Sequence, residues 1–390
     1  MEENVSDELH LRKFVAPEIV FGGGARYLAG RYALNLGARK VLVVTDPGVT
    51  AAGWPQQVLE GLNELSLPYV MFSEVSPNPR DEEVLAGARV FSHERCNAII
   101  AIGGGSPIDC AKGIGIVGTN LRHIREYEGV DQVSKAIPPL VCIPTTGGSS
   151  ADVSQFAIIR DSNTKLKMAI VSKAVVPDVA LIDPVTLTTM SPYLAACTGL
   201  DALTHAIEAF VSNASSPITD IHAVAAIKLI CRYLKESINK PEDIAIRSKV
   251  MLGSMEAGLA FSNAILGAVH AMAHSLGGIM DLAHGECNAI LLEAVIDYNY
   301  SSVPQRYTCV AEAMGIEVQG MKSEQIKQVL LDYIIQLKKA VGINKRLRDF
   351  GLGLKDLPVL SRGAMIDACM ATNPRTPSQH EIEAIYERAL

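Results

Sequence analysis

The chain has 390 residues, 48% hydrophobic and 20% charged, a length and composition that predict two domains of a globular protein with ample core. A formal net charge of -7 leaves no basic footprint and argues against nucleic acid as a partner. The opening MEENVSDELHLRKF lacks an apolar centre, so it reads as neither signal peptide nor anchor. No later uninterrupted apolar run reaches membrane-spanning length, so no membrane association is expected.

In chain order, β-rich runs at 18–21, 40–45, 69–72, 98–102, 140–143 and 179–182 alternate with helical patterns at 25–36, 55–65, 81–93 and 107–117. That alternation predicts a parallel sheet covered on both faces. Segments 156–160 and 167–171 flank Asp161-Ser162-Asn163-Thr164 and predict a β-hairpin laid on that core. Beyond about Pro184 only helical patterns remain, at 192–212, 218–235, 244–263, 285–298, 303–314, 323–341 and 380–390. The expected architecture is an α/β dinucleotide-binding domain over residues 1–184, Rossmann-like, followed by an all-α domain over 185–390. The cleft between them is the default ligand site.

Two glycine-rich loops bear on that ligand. NAIIAIGGGSPIDCAK runs from a strand through Gly103-Gly104-Gly105-Ser106 into a helix with Pro107 and Asp109 in its first turn. Glycines allow close backbone approach, and a helix N-terminus offers free N–H groups to an anion such as a pyrophosphate. The second loop, Ile143-Pro144-Thr145-Thr146-Gly147-Gly148-Ser149-Ser150, adds hydroxyl and backbone donors. Neither matches GxGxxG, and the acidic residue at a strand end, Asp46, precedes the glycine loop instead of following it by about 20 residues. Asp46 fits two roles: accepting from a ribose diol, which would favour NAD over NADP, or closing an Asp-Pro-Gly turn.

The segment 266–292, LGAVHAMAHSLGGIMDLAHGECNAILL, holds three of the nine histidines. His270 and His274 share a helical face, and Gly277-Gly278 is expected to end that helix so that the chain can turn before His284. Upstream, Asp201 and His205 share a face by the same spacing. One carboxylate with several imidazoles suits a borderline divalent metal, iron(II) or zinc. HAMAH lacks the glutamate of a zincin. His222 has no partner at useful spacing and reads as a core residue. The eight cysteines form no CxxC pair and read as buried free thiols of a reducing cytoplasm, with Cys287 as packing and not as a ligand.

Together GGGSPIDCAKGIGI, IPTTGGSSADVS, GLDALTHAIEAFVS, AVHAMAHSLGG, HGECNAILL and ATNPR resemble the iron-containing (group III) alcohol dehydrogenases over essentially the whole chain. Within that family it is similar to the lactaldehyde and 1,3-propanediol reductases and the NAD-dependent methanol dehydrogenases. The resemblance implies metal ligands at Asp201, His205, His270 and His284, with His274 beside the metal but not a ligand. Because imidazole titrates near working pH and His274 stands one turn from His270, it is the candidate proton relay, with an orienting hydrogen bond as the other reading. It implies NAD contacts at Asp46, Asn78, Gly104, Gly105, Ser106, Asp109, Thr145, Thr146, Ser149 and Lys167. It also implies a small alcohol or aldehyde substrate and a homodimer or multiple of dimers. Departures are Ala283 in place of proline, Gly147–Asp152 in place of AGTGSE, and Glu286 and Glu293 at usually apolar or proline positions. An acidic side chain beside His284 would change the charge and packing of the cleft. Two other readings remain at this stage: a regulatory NAD- and metal-binding protein with little turnover, and a dehydroquinate synthase-like non-redox enzyme.

Overall fold

A strand covered by helices on both faces has to be apolar on both, and the short runs of Val, Ile and Leu in the first half meet that demand. In the computed structural model, which describes residues 11–390, they form β1 (Glu18–Phe21), β2 (Val41–Val44), β3 (Tyr69–Phe72), β4 (Ala98–Gly103), β6 (Leu140–Pro144) and β9 (Val179–Ile182). These pair in the order β1-β9-β6-β4-β2-β3, parallel throughout. The four central strands are buried at every position, whereas the edge strands β1 and β3 are not. The crossovers carry α1 (Ala29–Asn35), α2 (Pro47–Ala51), α3 (Trp54–Glu64), α4 (Asp81–His93) and α5 (Gly105–Asn120). One apolar layer under each face, around Leu42, Ile99 and Ile114 and around Val43, Leu62 and Ile100, fixes the helices on the sheet. Each such side chain contributes about 1.5–3 kcal/mol when fully buried.

The expected hairpin forms from β7 (Phe156–Arg160) and β8 (Lys167–Val171), paired antiparallel. A two-residue strand β5 (Gly129–Val130) joins it in parallel, too short to leave a sequence pattern.

The second half is helical: α6 (Pro192–Val211), α7 (Pro217–Asn239), α8 (Ile244–Ala264), α9 (Ala268–Met280), α10 (His284–Asn299), α11 (Pro304–Ala313), α12 (Ser323–Ala340), α13 (Leu357–Met365) and α14 (Gln379–Ala389). Helix α6 is long and apolar enough to cross a membrane, yet it is almost entirely buried among the other helices and carries Asp201, His205 and Glu208. The first ten residues of the acidic N-terminal stretch lie outside the described residues.

Three local expectations change. The predicted helix 25–36 begins as a 3-10 turn, Ala25–Leu28, before α1. The Asp-Pro-Gly turn opens a helix, with the Asp46 side chain accepting from the Val49 N–H. The Gly277-Gly278 pair does not stop α9, which continues to Met280 and ends at Asp281 with φ 55°. A side chain at Gly278 would sit 2.7 Å from the Lys165 carbonyl oxygen, so the glycine serves close packing of α9 on the hairpin.

Candidate active site

Three helices deliver four ligand-type side chains to one point. Asp201 and His205 stand one turn apart on α6, His270 comes from α9, and His284 is the first residue of α10. The Nε2 atoms of His205, His270 and His284 lie 4.0, 3.8 and 3.9 Å from Asp201 Oδ1. A tetrahedron with metal–ligand bonds of about 2.1 Å has edges of roughly 3.4 Å, so a small contraction brings this set to a coordination sphere. The chemistry of the donors agrees. Asn288 Nδ2 lies 2.6 Å from Asp201 Oδ1, 3.0 Å from His270 Nε2 and 3.2 Å from His284 Nε2, so two N–H groups face three acceptors. Asn288 Oδ1, His205 Nδ1 and His284 Nδ1 are buried without partners. On the side where the Nε2 atoms meet Asp201 Oδ1, acceptors outnumber the Asn288 N–H groups, and a cation there would correct the imbalance.

Burial alone would raise the Asp201 carboxyl, but His205, His284 and His270 around it hold it well below the usual range. Burial drives His205 down to about 3 and His284 well below its ordinary value, so both rings are neutral and ready to ligate. His270 behaves differently: burial opposes its protonation, yet the carboxylates of Glu208 and Asp201 outweigh burial and raise it to about 9. Glu208 Oε2 is 2.5 Å from His270 Nδ1, and its other oxygen accepts the Val269 N–H at 2.7 Å. This carboxylate leaves Nε2 as the ligating atom. Sequence reasoning passed over Glu208, although it stands one turn beyond His205 in THAIEAF.

His274 lies beside the ligands, its ring 5.2 Å from that of His284 and 6.0 Å from that of His270. Its Nδ1 is 2.8 Å from Asp367 Oδ2, and Asp367 Oδ1 accepts the Cys369 N–H at 2.8 Å. Asp367 has no local motif to mark it. Glu286 departs from expectation. Its carboxylate turns away from the cleft to the Tyr193 hydroxyl and to Lys345 Nζ, 3.5 Å away, and Glu293 pairs with Lys338 at 2.7 Å. Neither lines the cavity, which the first turn of α10 reaches with His284 and Gly285.

A cavity of about 1080 Å³ runs from Asp46 to this cluster. Asn78, Gly104, Gly105, Ser106, Asp109, Thr145, Thr146, Ser149 and Lys167 all line it, as do Asp201, His205, His270, His274 and His284. The two glycine loops face each other at the carboxyl ends of β4 and β6, the end at which parallel sheets bind ligands. A Cβ on Gly104 would lie 3.1 Å from Thr146 Cγ2, and one on Gly105 2.9 Å from Ser149 Cβ. The Ser106 hydroxyl donates to the Pro77 carbonyl, and Asn78 Nδ2 donates to Asp281 at 2.7 Å. Asp109 is pushed up to about 7 by burial, against the pull of Lys112 and Lys167. Lys112 Nζ in turn donates to the Phe156 and Ser154 carbonyls at 2.7 and 2.8 Å, pinning the hairpin under the loop. Around the histidines the wall is apolar, with Phe156, Phe261 and Leu266, and Phe261 stacks on His205 at 4.3 Å. Cys287 lies in the helical core, outside the cavity.

Residues 16–184 match the family model described as iron-containing alcohol dehydrogenase, and residues 195–390 match that of the Fe-containing alcohol dehydrogenase family, C-terminal. The chain belongs to the iron-containing alcohol dehydrogenase family. It is 37% identical to the 1,3-propanediol dehydrogenase of Klebsiella pneumoniae over 96% of this chain and 98% of that protein. It is 35% identical to the NAD-dependent methanol dehydrogenase of Bacillus methanolicus over 97% and 99%. A solved 1,3-propanediol oxidoreductase superposes with a TM-score of 0.94 at 37% identity, covering 98% of this chain and all of that one. As an alcohol dehydrogenase the chain is an oxidoreductase. The handling of a phosphorylated acid would call for a basic cluster, and among the described residues only Arg160 and Lys167 bring cationic side chains to the cavity of this dehydrogenase.

Proposed function

We propose that the enzyme interconverts a small primary alcohol or diol and its aldehyde, using NAD(H) and iron(II) held by Asp201, His205, His270 and His284. The observation that carries the reading is that one cavity joins a strand-end carboxylate, two facing glycine loops and a buried four-donor cluster. Asp46 spends one oxygen on its helix cap and keeps the other for a ribose diol. Its charge disfavours a 2'-phosphate and so selects NAD over NADP. The glycine loops and the N-terminus of α5 receive the pyrophosphate.

A bound divalent ion supplies Lewis acidity that lowers the pKa of the alcohol hydroxyl, and NAD supplies the hydride acceptor. The protein does the rest. Glu208 and Asn288 hold the ligand atoms in place, and Phe156, Phe261 and Leu266 keep bulk water from the reacting carbon. Asp367 holds His274 through Nδ1, leaving Nε2 to take the hydroxyl proton and pass it outward. The apolar wall suits short carbon chains.

Protein loaded anaerobically with iron(II) is expected to form NADH from ethanol, 1-propanol or 1,3-propanediol. Measurable NAD binding with no NADH across such a panel would overturn this reading in favour of a regulatory protein.

A further inference from the structure

Helix α9 ends where it meets the sheet-bearing half, and that junction carries charges the proposed reaction leaves unused. Asp281 caps α9 in the left-handed conformation. Its carboxylate accepts from Asn78 Nδ2 at 2.7 Å and lies 3.6 Å from the Arg80 guanidinium and 3.9 Å from that of Arg160. Arg160 also donates through Nε to the Gly278 carbonyl at 3.1 Å, satisfying one of the free carbonyls at the helix end. Asn78 and Arg160 line the cavity, whereas Asp281 stands outside it. One carboxylate of the metal-bearing half therefore holds two cavity side chains of the other half.

We propose that Asp281 is a positioning residue for the dinucleotide, fixing Asn78 and Arg160 at the cavity wall and tying the two halves together so that NADH leaves slowly. The proposal rests on the dinucleotide reading of the cavity. A carboxylate can only accept, so it dictates the orientation of the Asn78 amide: Nδ2 faces Asp281, and Oδ1 with the second N–H is left for a ligand. Exposed ion pairs contribute little one at a time. Here, however, Asn78 is buried, and all three partners converge on one group where α9 meets the sheet-bearing half. Opening of such clefts commonly limits turnover.

Asp281→Gly removes the carboxylate while suiting the left-handed backbone, so the helix end is preserved. In the iron-loaded enzyme, NADH fluorescence titration and stopped-flow displacement are expected to show a Kd and off-rate raised about three- to tenfold. KM for NADH should rise in step, with iron content unchanged. Asp281→Asn tolerates the same backbone and keeps an acceptor for Asn78 without the charge, so it should fall between the two. Hydrogen exchange of metal-free protein reads the tie without cofactor: amides at 276–282 and 165–167 should exchange faster in Asp281→Gly. Wild-type Kd and off-rate in Asp281→Gly overturn the proposal whatever the exchange shows. Wild-type protein that binds no NADH but keeps the exchange contrast overturns the dinucleotide reading, and the positioning role with it, while the tie between the halves stands.

Discussion

At the scale of single residues, the proposed metal cluster depends on which nitrogen of His270 carries the proton. Glu208 accepts from Nδ1, so Nε2, which faces Asp201, is the nitrogen that gives up its proton to ligate. In Glu208→Gln the amide carbonyl can keep the Val269 N–H while its NH2 turns to Nδ1, which moves the ring proton to Nε2 and blocks ligation. Iron affinity, measured by competition with a chelator, should fall about 10–100-fold, and unchanged affinity would remove Glu208 from the site. The same carboxylate sets a pH dependence. His270 is raised to about 9 in the metal-free protein, so below that pH an incoming ion must displace its proton. Iron affinity should rise roughly tenfold per pH unit between about pH 7 and 9. Glu208→Gln should flatten that slope. Stability of the metal-free protein runs the other way: a raised folded-state value stabilises fully below the ordinary pKa of 6.5, and the contribution is lost as pH rises through about 9.

Among the elements, the junction of α6 and α10 decides whether three helices can share one ion. Gly285 follows His284, a proposed ligand, and packs against the Cys197 carbonyl, with a Cβ placed there lying 3.3 Å from Asp201 Cβ. Gly285→Ala should push the first turn of α10 off α6, at about 1–3 kcal/mol of overpacking. Elemental analysis should show reduced iron and urea unfolding a lower midpoint. Gly23→Ala, whose nearest neighbour atom is 3.9 Å away, should leave both unchanged. The contrast between these glycines also marks how far the sequence is legible. Strands β2, β4, β6 and β9 were readable because full burial writes itself as an unbroken apolar run. The i,i+4 spacing of Asp201 with His205 was readable because helix geometry is local. The role of Gly278 was not, because the reason for it is the hairpin backbone at Lys165, more than a hundred residues earlier. A glycine inside a helix costs about 1 kcal/mol relative to alanine, and nothing local tells that cost from a stop signal. Glu286 failed for the same reason: adjacency to His284 in sequence says nothing of Tyr193 and Lys345, which turn it outward.

For the whole molecule, the consequence is that the helical half is built around a charge it cannot neutralise alone. Asp201 and three imidazoles sit in a largely apolar core, with orphaned atoms on Asn288, His205 and His284. Their partners come from α6, α9 and α10, so an ion there crosslinks elements that span residues 192–299. An ion that binds only the folded state stabilises by about 2.7 kcal/mol at a hundredfold excess over Kd. For a cooperative unit of about 200 residues, each kcal/mol is worth roughly 2–4 °C, so stripping iron should lower Tm by about 5–10 °C. Scanning calorimetry of loaded, chelator-treated and reloaded protein checks this. Asp201→Ala should show no difference between the three states, because the group around which the imidazoles gather is gone. A Tm unmoved by iron in the wild type would mean that the cluster is not a metal site.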